Sequence, residues 1–278
     1  MEVVPVSGPT TGEAVGAPCW LSLTARDLDA AELFYGAVLG WTFRRGGDER
    51  EYAVAQLGDA PVAGIAAVAA ELSVQVAWTA FFAVDDADAA VARIRERGGT
   101  VGVGPVAYPP QGRAALAADR EGAAFGVWEG RLETRLHIGE RSAPAWLELH
   151  TRDAFEAAVF YGEVFRWADG KPGSFEVSYE QDKVVLRRDG EAVARLNSGP
   201  VDAGSPRPQL RPRWLVRFRV PDPEAAAAAA ESHGGSIVPG GDWGGVRGPD
   251  DIEGRRAVVV RDPEGALFAL EATEGRKD

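Results

Sequence analysis

A chain of 278 residues, 45% of them hydrophobic, can bury two ordinary cores of about 130 residues each. Its net charge of −12 and pI of about 4.9 leave no basic stripe, which excludes a nucleic-acid binder. Cys19 is the only cysteine, so internal disulfides and thiolate metal clusters are excluded. A reducing cytoplasm is therefore expected. No basic start followed by an apolar run marks a signal peptide, and no stretch of ~18 apolar residues is present to cross a membrane.

Residues 1–16 lack periodicity and read as a flexible N-terminal arm. Residues 19–26 alternate as a strand, with Trp20, Ser22 and Thr24 on one face and Leu21 and Leu23 on the other. Asp27 is placed to cap a helix whose apolar stripe is Ala31, Phe34, Tyr35, Val38 and Leu39, ended by Gly40. Strands are expected at 41–45, 51–57 and 62–69, separated by Gly-containing turns. The order then restarts. A strand at 77–84 leads into a helix capped by Asp85 or Asp86 and stopped by Gly98-Gly99. Strands at 100–106, 113–118 and 123–129 follow.

Residues 131–142 read as a linker. A third unit spans 145–196, with Asp153 as helix cap and Glu156 at capping-box spacing. A Pro-rich loop at 198–213 leads to a fourth unit at 214–273. There Asp222-Pro223 opens the helix, Gly234-Gly235 closes it, and Asp262-Pro263-Glu264-Gly265 turns into the last strand. Trp146 to Trp167 repeats Trp20 to Trp41 after 126 residues, sharing Trp-Leu, Arg-Asp, Phe-Tyr-Gly and the final Trp. The chain is thus expected to be α+β, with four βαβββ units paired into a module at 17–130 and a module at 143–275.

These units, the Asp-x-x-x-Ala-x-x-Phe-Tyr helix signature and the Asp-Pro-Glu-Gly turn resemble the vicinal oxygen chelate superfamily. It includes glyoxalase I, extradiol dioxygenases and bleomycin-resistance proteins. The tandem arrangement resembles an actinobacterial two-module subgroup. The resemblance implies that each module is a cupped, mostly antiparallel eight-stranded sheet with outer helices, enclosing a small-molecule pocket. It also implies metal-ligand positions on the first strand, the fifth, and the last or the fourth. In this sequence the first-, fifth- and last-strand positions fall at Trp20, Thr79 and Gly126 in the first module, and at Trp146, Leu215 and Ala269 in the second, and the fourth-strand segments Ala63–Ala66 and Ala192–Leu196 contain no acid. None of these side chains binds a metal well, so no metal ligand and no cofactor is expected; a divalent metal would need a non-standard site.

Glu148 and His150 follow Trp146 at two-residue steps and share its face. They are the candidate catalytic pair, against the alternative of a hydrogen-bonded Glu inside the barrel and a His at its rim. Trp20, Ser22, Thr24, Trp146 and the loop residue Trp243 are candidate ligand-binding residues. Trp78, Trp214 and Trp128 suit core packing, and His233 suits a helix-end cap. His137 falls in the linker, and Cys19 is expected to be structural. The leading functional expectation is a small-molecule-binding protein that sequesters its ligand or acts without a metal. The alternatives are a lyase or dioxygenase-like enzyme using Glu148 and His150, and a protein-interaction scaffold. A monomer or a homodimer fits equally.

Overall fold

The computed structural model describes residues 15–45, 51–130, 138–139, 143–167, 175–180, 183–202, 204–207, 210–239 and 257–273. The first sheet contains β1 (Pro18–Thr24), β2 (Thr42–Arg45), β3 (Tyr52–Leu57), β4 (Ala60–Ala66), β5 (Ala77–Ala83), β6 (Thr100–Tyr108), β7 (Gly112–Ala118) and β8 (Ala124–Gly130). The second contains β9 (Ala145–Thr151), β10 (Glu176–Glu180), β11 (Lys183–Arg188), β12 (Glu191–Ser198), β13 (Arg213–Val220), β14 (Ser236–Ile237), β15 (Ala257–Arg261) and β16 (Leu267–Ala272). The helices are α1 (Leu28–Leu39), α2 (Ala69–Leu72), α3 (Ala87–Glu96), α4 (Ala154–Phe165) and α5 (Pro223–Ser232). The short α2 has no counterpart among the sequence-based expectations.

The strand orders are β2-β3-β4-β1-β5-β8-β7-β6 and β10-β11-β12-β9-β13-β16-β15-β14, the same path twice. In each sheet the joins β1–β4 and β5–β8, or β12–β9 and β13–β16, are parallel and the rest antiparallel. Neither sheet closes. The helix starts are as the sequence predicts. Asp27, Asp86, Asp153 and Asp222 each accept backbone N–H groups of the first turn, and Gly40 ends α1 at φ 69°. The Glu156 side chain pairs with Arg120 of the first module.

Alternation along β1 and β9 sends Leu21, Leu23, Leu147 and Leu149 to the helix side and into one core shared by both modules. The helices lie outside each cup, and these helix sides face one another, so the buried helix stripes form the inter-module layer. Phe34 and Tyr35 of α1 meet Phe268 of the other module at ring-centroid distances of 6.3 and 5.6 Å. Phe82 stacks on Phe165 at 4.6 Å. Each such ring contributes about 1.5–3 kcal/mol through burial alone.

Two polar relays cross this layer in a quasi-symmetric pair. Tyr35 Oη donates to Asp262 Oδ2 at 2.9 Å and accepts from Trp78 Nε1 at 3.0 Å. Tyr161 Oη donates to Asp119 Oδ2 at 2.9 Å and accepts from Trp214 Nε1 at 2.9 Å. The remaining carboxylate oxygen of each Asp staples its own turn, accepting from the backbone N–H of Glu121, Gly122 and Ala123, or of Glu264, Gly265 and Ala266. The turn glutamates reach the opposite module, where Glu121 accepts from Arg152 N and Glu264 from Arg26 N. The repeated Phe-Tyr, Arg-Asp and Asp-x-Glu-Gly motifs are therefore one docking device used twice. Gly16 is tied as well, since its N–H donates to Ala83 O and its carbonyl accepts from Trp167 Nε1.

Candidate functional site

The face of each sheet turned away from the helices is its cup face. In the second sheet Trp146, Glu148 and His150 of β9 lie on it, in register with Arg217, Leu215 and Arg213 of β13. Arg195 and Asn197 of β12 stand beside Glu148 and His150, and Ala269 of β16 stands beside Arg217. This face is closed to solvent: Glu148 is 3% exposed, His150 2%, Arg217 0% and Glu271 2%.

A charged network holds it together. Arg217 Nη1 donates to Glu148 Oε2 at 2.8 Å, and Arg217 Nε donates to Glu271 Oε2 at 3.0 Å. Trp146 Nε1 donates to the same Glu271 oxygen at 2.8 Å, and Asn197 Nδ2 donates to Glu148 Oε1. The Arg195 and Arg217 guanidinium carbons lie 5.5 and 5.0 Å from the Trp146 ring centroid, within cation–π range. His150 Nε2 lies 3.6 Å from Glu148 Oε2. Removing one member of such a set strands a buried charge, at a cost of about 3–5 kcal/mol.

The structure thus brings the candidate pair Glu148 and His150 together and ties Glu148 to Arg217. Burial would raise the Glu148 carboxyl, but the Arg217 guanidinium and His150 outweigh burial and hold it well below the usual carboxylate range. A carboxylate held that low is a weak base at neutral pH and has no proton to give. His150 is buried rather than at a rim.

The metal positions implied by the superfamily are no better filled. Trp146, Leu215 and Ala269 supply no donor, and the two nearby carboxylates are engaged by Arg217. Among the described residues no group of three His, Cys, Asp or Glu side chains could hold a metal ion. The donor set does not fit the superfamily's metal. Sequence reasoning missed Arg217 and Glu271, although each lies two residues beyond an implied position and so on the same face.

The first sheet is built differently. Trp20, Ser22 and Thr24 share the cup face with Thr79, Phe81, Tyr52 and Trp128, all half-buried. Gly64 and Gly126 give two of these rings their places. A Cβ on Gly64 would lie 2.4 Å from the Tyr52 hydroxyl, and one on Gly126 would lie 2.2 Å from the Phe81 ring. Trp128 Nε1 is buried with no hydrogen-bond partner among the described residues. Ser22 and Thr79 pair across β1 and β5 at the middle of this face. The result is a half-buried face walled by aromatic rings, with Arg44 at its β2 edge, in the row of Ser22, Gly64 and Val54.

The other candidates resolve simply. Trp78 and Trp214 are interface core. His233 follows α5, and its Nδ1 donates to the Ala229 carbonyl at 2.8 Å, a helix-end cap. Cys19 is buried on the helix side of β1, its thiol reaching Phe81 O at 3.4 Å. Trp243 and His137 lie outside the described residues. No helix among the described residues is long and apolar enough to cross a membrane.

Residues 19–127 match the family described as Glyoxalase/Bleomycin resistance protein/Dioxygenase superfamily, and residues 146–271 match the one described as Glyoxalase-like domain. CFP32 of Mycobacterium tuberculosis, provisionally named a glyoxylase, is 30% identical over 266 residues, covering 92% of this chain and 94% of its own. The anthracycline biosynthesis protein DnrV of Streptomyces peucetius is 31% identical over 279 residues, covering 94% and 95%. Among solved structures, the Mn(II)-bound glyoxalase of Novosphingobium aromaticivorans shares the fold at a TM-score of 0.55 and 17% identity, covering 94% of this chain and 83% of its own. The chain belongs to the glyoxalase/bleomycin resistance protein/dioxygenase superfamily, as a tandem of two glyoxalase-like modules.

Proposed function

We propose that this protein binds a small, flat, partly aromatic molecule in the cup of its first module, without the superfamily's metal. The observation that carries this reading is the half-buried set Trp20, Tyr52, Phe81 and Trp128 around Ser22 and Thr79. Apolar walls with a few fixed polar groups are what a small-molecule site requires. Acceptors or donors on the ligand suit the two hydroxyls. Module two contributes rigidity, because its cup face is filled by its own ion network. Each module's helix side is covered by the other, so a single chain suffices. Sequestration is the role that such a cup serves directly. Acid–base work by Glu148 is disfavoured by its tie to Arg217.

Relatives named for anthracycline biosynthesis make an anthracycline, a fused-ring aromatic, the natural first probe. Titration should quench tryptophan fluorescence, and Trp20→Ala and Phe81→Ala should each weaken binding about tenfold or more, the worth of a lost aromatic wall. Glu148→Gln, in the other cup, should leave the affinity unchanged. Equal weakening by Glu148→Gln, with no effect of Trp20→Ala, would place binding in the second module and end this reading.

A further inference from the structure

The two neighbouring arginines of β2 are used differently. Arg45, opposite Ala53, is on the helix side and is tied to Asp29 and Glu32 of α1. Arg44, opposite Val54, is on the cup side, is exposed, and makes no ion pair among the described residues. Its row runs through Val54, Gly64 and Ser22 to Thr79, so the cation and the two hydroxyls share one line across the sheet. Followed strand by strand, the described cup-face positions of β1 to β8 hold no Asp, Glu or Lys, and no arginine besides Arg44. A chain of net charge −12 thus presents a lone positive side chain, and no negative one, at these positions.

The opposite end of the same face is apolar. Leu116 of β7 is in register with Val103 of β6 and with Gly126 of β8, and both Leu116 and Val103 are exposed. Tyr108, also exposed, lies 6.1 Å from the Trp128 ring. In strand order the face therefore passes from a cation at β2, through hydroxyls on β1 and β5, to apolar and aromatic side chains on β8, β7 and β6. Arg44 and Ser22 stand three strand spacings apart, roughly 14 Å. The long arginine stem covers part of that gap, and a fused-ring molecule with one acidic group spans the rest. Its rings gain from the aromatic wall and its acidic group gains from the guanidinium.

We propose that Arg44 sets the ligand class of the first cup, which takes flat aromatic molecules carrying a carboxylate. The inference rests on the first cup being the binding site. The rings lie against Trp20, Phe81 and Trp128, and the carboxylate points towards β2. A planar guanidinium meets a carboxylate through paired N–H donors, a match that neither a neutral amide nor an ammonium offers. A cationic aromatic of the same shape finds no carboxylate at the described positions of this face and meets Arg44 as a like charge, so it is selected against.

Calorimetric titration of the full chain with 2-naphthoate, 2-naphthamide and 2-naphthylmethylammonium tests this. 2-Naphthoate should bind at least about fivefold more tightly than either of the others. Because Arg44 is exposed, that preference should shrink as salt is added. Arg44→Gln should abolish the preference and leave 2-naphthamide binding unchanged, and Arg44→Glu should invert it towards the ammonium. Arg45→Gln, the same loss of charge on the other face of β2, should preserve it. Trp20→Ala should weaken all three probes. Equal binding of the three, or a preference for 2-naphthoate that survives Arg44→Gln, overturns the proposal; if Trp20→Ala still weakens them all, the aromatic cup stands without it. Binding of none of the probes, or binding that Trp20→Ala leaves untouched, ends the first-cup reading and this proposal with it.

Discussion

The inter-module relay invites a one-atom perturbation. Tyr161→Phe keeps the stacked ring and deletes the hydroxyl that joins Trp214 Nε1 to Asp119 Oδ2. Both partners are buried: Trp214 is 4% exposed and Asp119 6%. Each stranded group costs about 1–3 kcal/mol, and the carboxylate lies at the upper end, so a total loss of about 2–4 kcal/mol is expected. Against a usual domain stability of about 5–15 kcal/mol this is readily measured by urea unfolding followed by tryptophan fluorescence. The pH dependence sharpens the test. Burial raises the Asp119 carboxyl above its unfolded value, and its hydrogen bonds, that of Tyr161 among them, oppose the rise. A raised folded value means that this group's contribution is fully present below the unfolded value and is lost as pH rises through the folded one. Removing the hydroxyl raises that folded value further. The deficit of Tyr161→Phe should therefore be small near pH 4 and full at pH 7. A loss under about 0.5 kcal/mol at pH 7, or an equal loss at both pH values, would refute the reasoning, since surface-like effects are of that size.

Three more outcomes follow from single contacts. Arg166 ends α4 in the left-handed region at φ 58°, where the equivalent Gly40 ends α1. Its exposed pair with Asp85 is worth about 0–1 kcal/mol against an αL cost of about 1–2, so Arg166→Gly should gain about 0.5–1 kcal/mol in urea unfolding despite losing the pair. For Glu148, whose folded carboxyl is depressed, stability is present above the unfolded value and lost as pH falls through the folded one. Glu148→Gln should thus cost about 3 kcal/mol at pH 7 and show a shallower acid limb below about pH 4.5 than the wild type. Gly126→Ala places a Cβ 2.2 Å from the Phe81 ring, so the ring must turn. A stability loss of about 1–3 kcal/mol, together with weaker binding of the aromatic probe, is expected by calorimetry.

Much of the fold was legible because it is written twice. The period-two strands, Asp caps and Gly stops recur in both modules, and the strand order follows that register. What the motifs do was less legible. Tyr35 and Asp262 are 227 residues apart, and no local pattern announces that the Phe-Tyr helix of one module docks on the Asp-x-Glu-Gly turn of the other. At the candidate site Glu148 and His150 stood out because they lie together on one strand. Arg217 and Glu271 come from two other strands, and only the register of β9, β13 and β16 makes them neighbours. The aromatic cup was half-visible in Trp20, Ser22 and Thr24. Tyr52 and Phe81 enter it through the space that Gly64 and Gly126 leave, a relation between strands that sequence spacing does not encode.

The proposed division of labour puts ligand in the first cup and leaves a buried ion network in the second. Hydrogen–deuterium exchange with and without the bound aromatic probe tests it most directly. Added protection is expected in β1, β3, β5 and β8 and none in β9, β13 or β16. Protection confined to the second sheet, or spread equally over both, would contradict it.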